Sequence, residues 1–153
     1  MSEAAFDAAV QTAEDASRAG SAAEHLRRAW DCVHALHPDP GKAYWEAVKA
    51  VEAAAHAVLE PDKPTATLGT MLRQLRTHGA KKFSLAISGR EGRAADVGRL
   101  TACIELLWKG ETDRHGSMEP TPVMTLEEAT MAVHLAVMLV QWFTSGAVWL
   151  SGT

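Results

Sequence analysis

The sequence predicts an all-α fold, an up-and-down bundle of about five or six helices, and three features carry that prediction. Apolar residues recur at three- and four-residue intervals along nearly the whole chain, the period of one helix face. No run alternates apolar and polar residues as a half-buried strand would. Prolines and glycines fall between the periodic stretches, where helices start and stop. With 153 residues, 47% hydrophobic and 22% charged, the chain can bury one core of ordinary size. Residues 1–20 read as a peripheral N-terminal helix and 21–153 as a single bundle domain, without repeat or interdomain linker.

The first helix is expected from Glu3 to Arg18, before Gly20, with few large apolar side chains on its inner face. Ser21 and Glu24 have the spacing of a capping box for the second. That helix places Leu26, Ala29, Trp30, Val33 and Leu36 on one stripe and stops before Pro38, because the residue preceding a proline is pushed out of helical geometry. Asp39-Pro40 suits an N-cap followed by a first-turn proline. The helix it opens runs to about Leu59, and its Tyr44, Ala47, Val48, Val51, Ala54, Ala55 and Val58 face inward. Its alanines allow close helix approach, which marks it as central.

Pro61 and Pro64 separate it from a helix starting near Thr67, with Leu68, Met71, Leu72 and Leu75 inward and Gly79 at the place of a left-handed C-terminal cap. Lys81 to Gly92 reads as a short helical turn around Phe83, Leu85 and Ile87. A helix from Arg93 to Lys109, capped by Gly110, follows, then a loop to Met124 containing Gly116, Pro120 and Pro122. The last helix opens on a second capping box, Thr125 and Glu128. It directs Leu126, Ala129, Val133, Ala136, Val137, Val140 and Phe143 inward, and its apolar run from Leu135 to Val140 implies burial on more than one side. The tail from Ala147 carries Trp149 and Leu150, packed back or offered to a partner.

Function classes narrow from the same reading. No stretch is apolar and long enough to span a membrane, and the acidic N-terminus has no secretory pattern, so a cytoplasmic protein is expected. Cys32 and Cys103 stand alone inside helical patterns and read as small hydrophobes. The seven histidines show no metal-ligand spacing, and there is no glycine-rich phosphate loop, so neither metal nor cofactor is expected. Net charge is −4, against a general nucleic-acid binder, yet it is unevenly spread. Between Arg73 and Arg114 nine basic residues oppose five acidic ones, a local +4 that leaves −8 for the remainder. Such a segment can face a polyanion, and Arg73, Arg76 and Lys109 are its candidate RNA contacts.

The most chemically loaded stretch is Gly110-Glu111-Thr112-Asp113-Arg114-His115-Gly116-Ser117. A permanently charged guanidinium, a planar fork for phosphate, lies beside an imidazole that titrates near neutral pH, with a carboxylate before them. Asp113, Arg114 and His115 are therefore the candidate catalytic residues, suited to cleaving an RNA backbone as charge builds on the phosphate oxygens.

The run Leu107-Trp108-Lys109-Gly110-Glu111-Thr112-Asp113-Arg114-His115-Gly116, followed by Leu126-Glu127-Glu128-Ala129, resembles the HEPN superfamily. It is most similar to the helical C-terminal domains of bacterial abortive-infection proteins, and Ala43–His56 and Ala66–Gly69 agree, so the resemblance covers roughly Ala22 to Gly146. It implies a helical bundle, usually a homodimer, in bacterial defence or toxin–antitoxin systems, with RNA, a partner protein or an antitoxin as partners. Many members are metal-independent endoribonucleases using an arginine and a histidine four to six residues apart. His115 takes the place of that histidine; Arg114 is adjacent to it, and Trp108 and Lys109 stand at the upstream positions. Other members are non-catalytic dimerisation or interaction modules, in which the Asp-Arg-His-Gly loop would be structural. A third reading is a small-molecule pocket lined by Trp45, Trp108 and Trp142.

Overall fold

A computed structural model describes residues 1–16, 20–112 and 123–151, the side chains of 111 and 112 excepted. Among them the chain forms an all-α bundle of six helices with one small antiparallel strand pair. The helices are α1 (Glu3–Asp15), α2 (Ala22–His34), α3 (Pro40–Leu59), α4 (Leu68–Lys82), α5 (Arg93–Thr112) and α6 (Leu126–Thr144). The strands are β1 (Phe83–Leu85) and β2 (Val148–Leu150). None of these helices is long and apolar enough to cross a membrane.

The centre is α3, packed between α2 and α6, with α4 and α5 paired beside it. Its alanines explain the place: Ala43, Ala47, Ala50 and Ala55 are fully buried, and a methyl group lets a neighbouring helix come close. Around them Leu26, Val51, Leu68, Met71, Val133 and Val140 fill one continuous core. Each such large side chain contributes about 1.5–3 kcal/mol when removed from water. The first helix joins this core. It packs on α2 and α6 through Phe6, Ala9, Val10 and Ala13, and the Phe6 ring stacks on Trp30 at 4.3 Å. One large aromatic among small residues is enough to dock it.

N-terminal caps follow the sequence at two of the three expected places, and a further one forms at Thr67. The Asp39 carboxylate accepts the Lys42 amide, Thr125 and Glu128 close a reciprocal box, and α4 begins after Thr67, which forms its own box with Thr70. Ser21 makes no side-chain cap, and Glu24, the other half of the expected box, reaches forward to Arg28 on the same helix. The α2 stripe also ends early. The helix stops at His34, so Leu36, expected inside, is 90% exposed beyond it. Leu126 lies in the first turn of α6, where no helix covers it, and is exposed as well.

Three expectations fail for tertiary reasons. Residues 83–85 are a strand, not a helical turn, paired to the tail in the register Phe83↔Leu150, Ser84↔Trp149, Leu85↔Val148. The pairing extends through Ala86 N–H to the Ala147 carbonyl and Ser151 N–H to the Lys82 carbonyl. Three residues are too few to show an alternation, and the partner lies at the other end of the chain. Gly79 and Gly110 are not left-handed caps; both lie inside helices, whereas positive φ occurs at Gly20, Gly92 and Gly146. They are glycines because of neighbours. A Cβ at Gly79 would stand 2.9 Å from Val97 Cγ1 on α5, and one at Gly110 would run into the Tyr44 hydroxyl on α3.

Candidate nucleic-acid interface

The candidate catalytic residues Asp113, Arg114 and His115 lie outside the described residues; the ground on both sides is described. On one side α5 runs to Thr112, two residues past Gly110. The Tyr44 hydroxyl on α3 donates to the Leu107 carbonyl at 2.8 Å, and Gly110 lies against the same ring. On the other side the Thr125–Glu128 box starts α6. Tyr44, Leu107, Gly110, Glu128, Met131 and Leu135 surround one small cleft there, so the last turns of α5 and the first turns of α6 lie near one another. Leu106 and Met131 are exposed around this cleft, Leu135 is half-buried there, and Met138 is exposed further along α6, an apolar stripe on α5 and α6.

The three candidate RNA contacts converge. Helices α4 and α5 run antiparallel: Gly69 abuts Trp108, Arg76 meets Glu105, and Gly79 abuts Val97. On this frame Arg76 pairs with Glu105 at 2.7 Å and Lys109 with the same carboxylate at 3.2 Å. The Arg76 hydrogen bond, then that of Lys109, holds the Glu105 carboxyl below its ordinary value. Arg73 lies one turn before Arg76 on the same α4 face, exposed and without an ion-pair partner among the described residues. Spacing of three on a helix puts the two guanidinium groups side by side.

Beside them a shallow groove runs between α4 and α5, with Arg76, His78, Lys81 and Glu105 on its walls and Ala94, Gly98 and Ala102 along one side. Small residues on α5 leave it open. Lys81 and His78 were not among the candidate contacts; Lys81 was legible only as one more charge in the basic segment. Arg76 and Lys109 share the one carboxylate here, Glu105, and with Lys81 along the groove and Arg73 one turn before Arg76 the positive charges outnumber it, which leaves this face cationic. Arginine forks can take phosphate oxygens two at a time, while lysines act as point charges.

Other chemistry-bearing side chains serve the fold. Glu46, 4% exposed, receives the His25 Nδ1 at 2.5 Å, an α2–α3 link between residues too distant in sequence to signal each other. Trp45 stands edge-on to that ring and under the Lys49 ammonium. Trp108 abuts Gly69, and Trp142 lines a groove near the strand pair, so the three tryptophans expected to share a pocket lie apart. His34 stacks on Trp30 at 4.2 Å, with His134 on the same ring's other neighbourhood at 6.2 Å. Burial, helped by the Met1 amino group and His34, pushes the His134 ring below its ordinary value. Both cysteines are free and half-buried, and burial raises the Cys32 thiol. Among the described residues no three His, Cys, Asp or Glu side chains gather as a metal site. No protein-family model, curated protein or solved structure matches this chain.

Proposed function

We propose that this chain is an HEPN-like, cytoplasmic RNA-binding domain of a bacterial defence or toxin–antitoxin type system. RNA lies along the α4/α5 groove, and the Asp113-Arg114-His115 segment acts on its backbone without a metal. One observation supports the reading: Arg76 and Lys109 share the single carboxylate of Glu105, with exposed Arg73 one turn before Arg76 and Lys81 along the groove, and Lys109 lies one helical turn before the end of α5, where segment 113–122 begins. A phosphate chain held at that end of the groove is thereby brought toward the Arg–His pair. There the Arg114 guanidinium takes the non-bridging phosphate oxygens, where charge grows as the 2′-hydroxyl attacks. The His115 ring removes the hydroxyl proton or returns one to the leaving 5′-oxygen, and Asp113 orients one of the two. Two copies pair through the stripe of Leu106, Met131, Leu135 and Met138 beside the cleft, which sets their two segments close together.

The test is binding and cleavage of fluorescently labelled single-stranded RNA by the intact protein, with chelator present. Binding is expected to weaken at least tenfold when Arg73 and Arg76 are both changed to Glu, and His115→Ala is expected to abolish cleavage while leaving binding intact. Absence of RNA binding at low salt removes the proposal. Binding with no cleavage by the unmutated protein removes the nuclease part alone.

The same apolar stripe favours a second reading, a non-catalytic dimerisation or interaction module that takes a partner protein or antitoxin. In that case Arg114 is a structural group, and Arg114→Ala costs about 1–3 kcal/mol of stability through a lost charged hydrogen bond. An unchanged melting temperature argues against it.

A further inference from the structure

Helix α1 is lightly anchored. Thirteen residues long, it meets α2 and α6 through one large side chain, Phe6, and the smaller Ala9, Val10 and Ala13. An Arg27–Glu14 pair adds a link near its end, but both side chains are exposed and such pairs contribute little. The hold on the bundle therefore depends on the ring stack that Phe6 enters.

The Trp30 indole of α2 lies 4.3 Å from the Phe6 ring, nearly parallel at 12°, and 4.2 Å from the His34 ring at 27°. Two rings this close to one centroid would overlap if they shared a face, so Phe6 and His34 clamp the indole from opposite sides. The His34 Nδ1 is 2.9 Å from the Trp30 carbonyl. A carbonyl only accepts, so this nitrogen carries a proton and the ring is oriented by its own helix. With both faces taken, the third neighbour meets the indole at its edge: the His134 ring of α6, 6.2 Å away and tilted by 37°.

Two imidazoles from two helices thus stand beside the start of a third. From α1 the Met1 amino group faces His134, from α2 the His34 ring does, and on α6 Glu127 shares its shallow groove two turns earlier. Glu3 and Asp7 of α1 and Asp31 of α2 are exposed. Among the described residues no carboxylate stands within 4.0 Å of either ring, in contrast to His25, which has Glu46. A proton on His134 in this closed arrangement meets burial and two cationic neighbours, with no counter-charge in contact. His34 differs, because its charge lies over an indole face, where a cation is attracted.

Undocking α1 relieves the strain on that proton. It takes Phe6 out of the clamp, opens His134 to water and carries the Met1 amino group away. The open form then holds the proton more firmly than the closed one, so protons shift the balance toward opening. A helix of thirteen residues is marginal alone in water, and α1 unwinds once it leaves the bundle.

We propose that α1 is an acid-released strap, closed over Trp30 at neutral pH and freed when His134 takes up a proton. The device needs no ligand and is independent of the RNA reading. Its stabilisation of the closed form is fully present above the ordinary 6.5 of a histidine and is lost as pH falls below that value. A single proton sets a ceiling of about thirtyfold on the shift at about pH 5.

The experiment is amide hydrogen exchange of the intact protein at about pH 7.5 and about pH 5, corrected for the intrinsic rates, with α3 as internal reference. Protection of the Glu3–Asp15 amides is expected to fall by about threefold to thirtyfold relative to α3. His134→Gln, neutral at both values, is expected to keep α1 protected at the lower one. Phe6→Ala is expected to release α1 at both. Should His134→Gln lose the protection of α3 as well, the unmutated protein decides. Its Trp30 side-chain N–H and His134 ring resonances are then expected to titrate together with α1 exchange, on one midpoint below 6.5.

The proposal is overturned if α1 is unprotected already at the higher pH, or if α1 and α3 change by the same factor. It is equally overturned if the fall persists in a folded His134→Gln, if Phe6→Ala leaves α1 protected, or if Trp30 and His134 titrate with separate midpoints.

Discussion

Removing the His25 ring should be among the most damaging single changes in this bundle. The Glu46 carboxylate is 4% exposed on the central helix, and the His25 Nδ1, at 2.5 Å, is its hydrogen-bonded partner from α2. His25→Ala leaves that carboxylate buried without a counter-group. A hydrogen bond to a charged group contributes about 1.5–3 kcal/mol. Breaking a fully buried pair by removing one member costs about 3–5 kcal/mol. The His25 side chain is itself 18% exposed, so water reaches one edge of the pair and the cost falls between these limits, at about 2–4 kcal/mol. For a chain of this length each kcal/mol moves the melting temperature by about 2–4 °C, which places His25→Ala roughly 5–15 °C below the unmutated protein. Denaturant titration with circular dichroism measures it. Adding Glu46→Met to His25→Ala removes the stranded charge, so the double variant should recover part of the loss. A His25→Ala loss under about 0.5 kcal/mol, or a double variant as unstable as the two single losses combined, refutes the reasoning.

Gly79→Ala should destabilise by about 1–2 kcal/mol, overpacking against Val97 outweighing the gain in helix propensity. With Val97→Ala added, the pair should be at least about 1 kcal/mol better than additive, and additive values on denaturation would remove the close-approach explanation. Gly110→Ala should cost about 2–3 kcal/mol or more, since it displaces Tyr44 and breaks its bond to the Leu107 carbonyl; a melting curve unchanged from the parent contradicts this. Burial lowers His134 below its ordinary 6.5, so the folded chain favours the neutral ring and the unfolded chain takes up the proton first. Its contribution is complete above about 6.5 and is lost as pH falls below that value, so stability measured from pH 7 to 5 should drop less steeply in His134→Gln. Equal slopes would contradict it. Changing Arg73, Arg76 and Lys109 to Ala together should lower the salt slope of RNA binding by about 2, at roughly 0.7 per phosphate contact; an unchanged slope places the RNA elsewhere.

The helices, their order and most of their inner faces could be read directly, because period, proline position and cap chemistry act over one or two turns. Asp39-Pro40 and Thr125-Glu128 carry their whole message within four residues, and both hold in the fold. The charge surplus of residues 73–114 was legible too, as a count. What the count lacked was direction: only the antiparallel packing of α4 on α5 brings Arg76 to the Glu105 carboxylate that Lys109 also holds.

The misses share one cause. Phe83–Leu85 became a strand because Val148–Leu150 lies alongside it, and Leu36 became exposed because α2 ended two residues before it. Gly79 and Gly110 are small for Val97 and Tyr44, residues of other helices, not for their own backbone. His25 and Glu46, and the groove beside Trp142, are likewise meetings of distant segments. Local preference chose helix and where it starts and stops. Which side chain meets which was decided by packing, since contact energies between remote residues exist only once the core has closed.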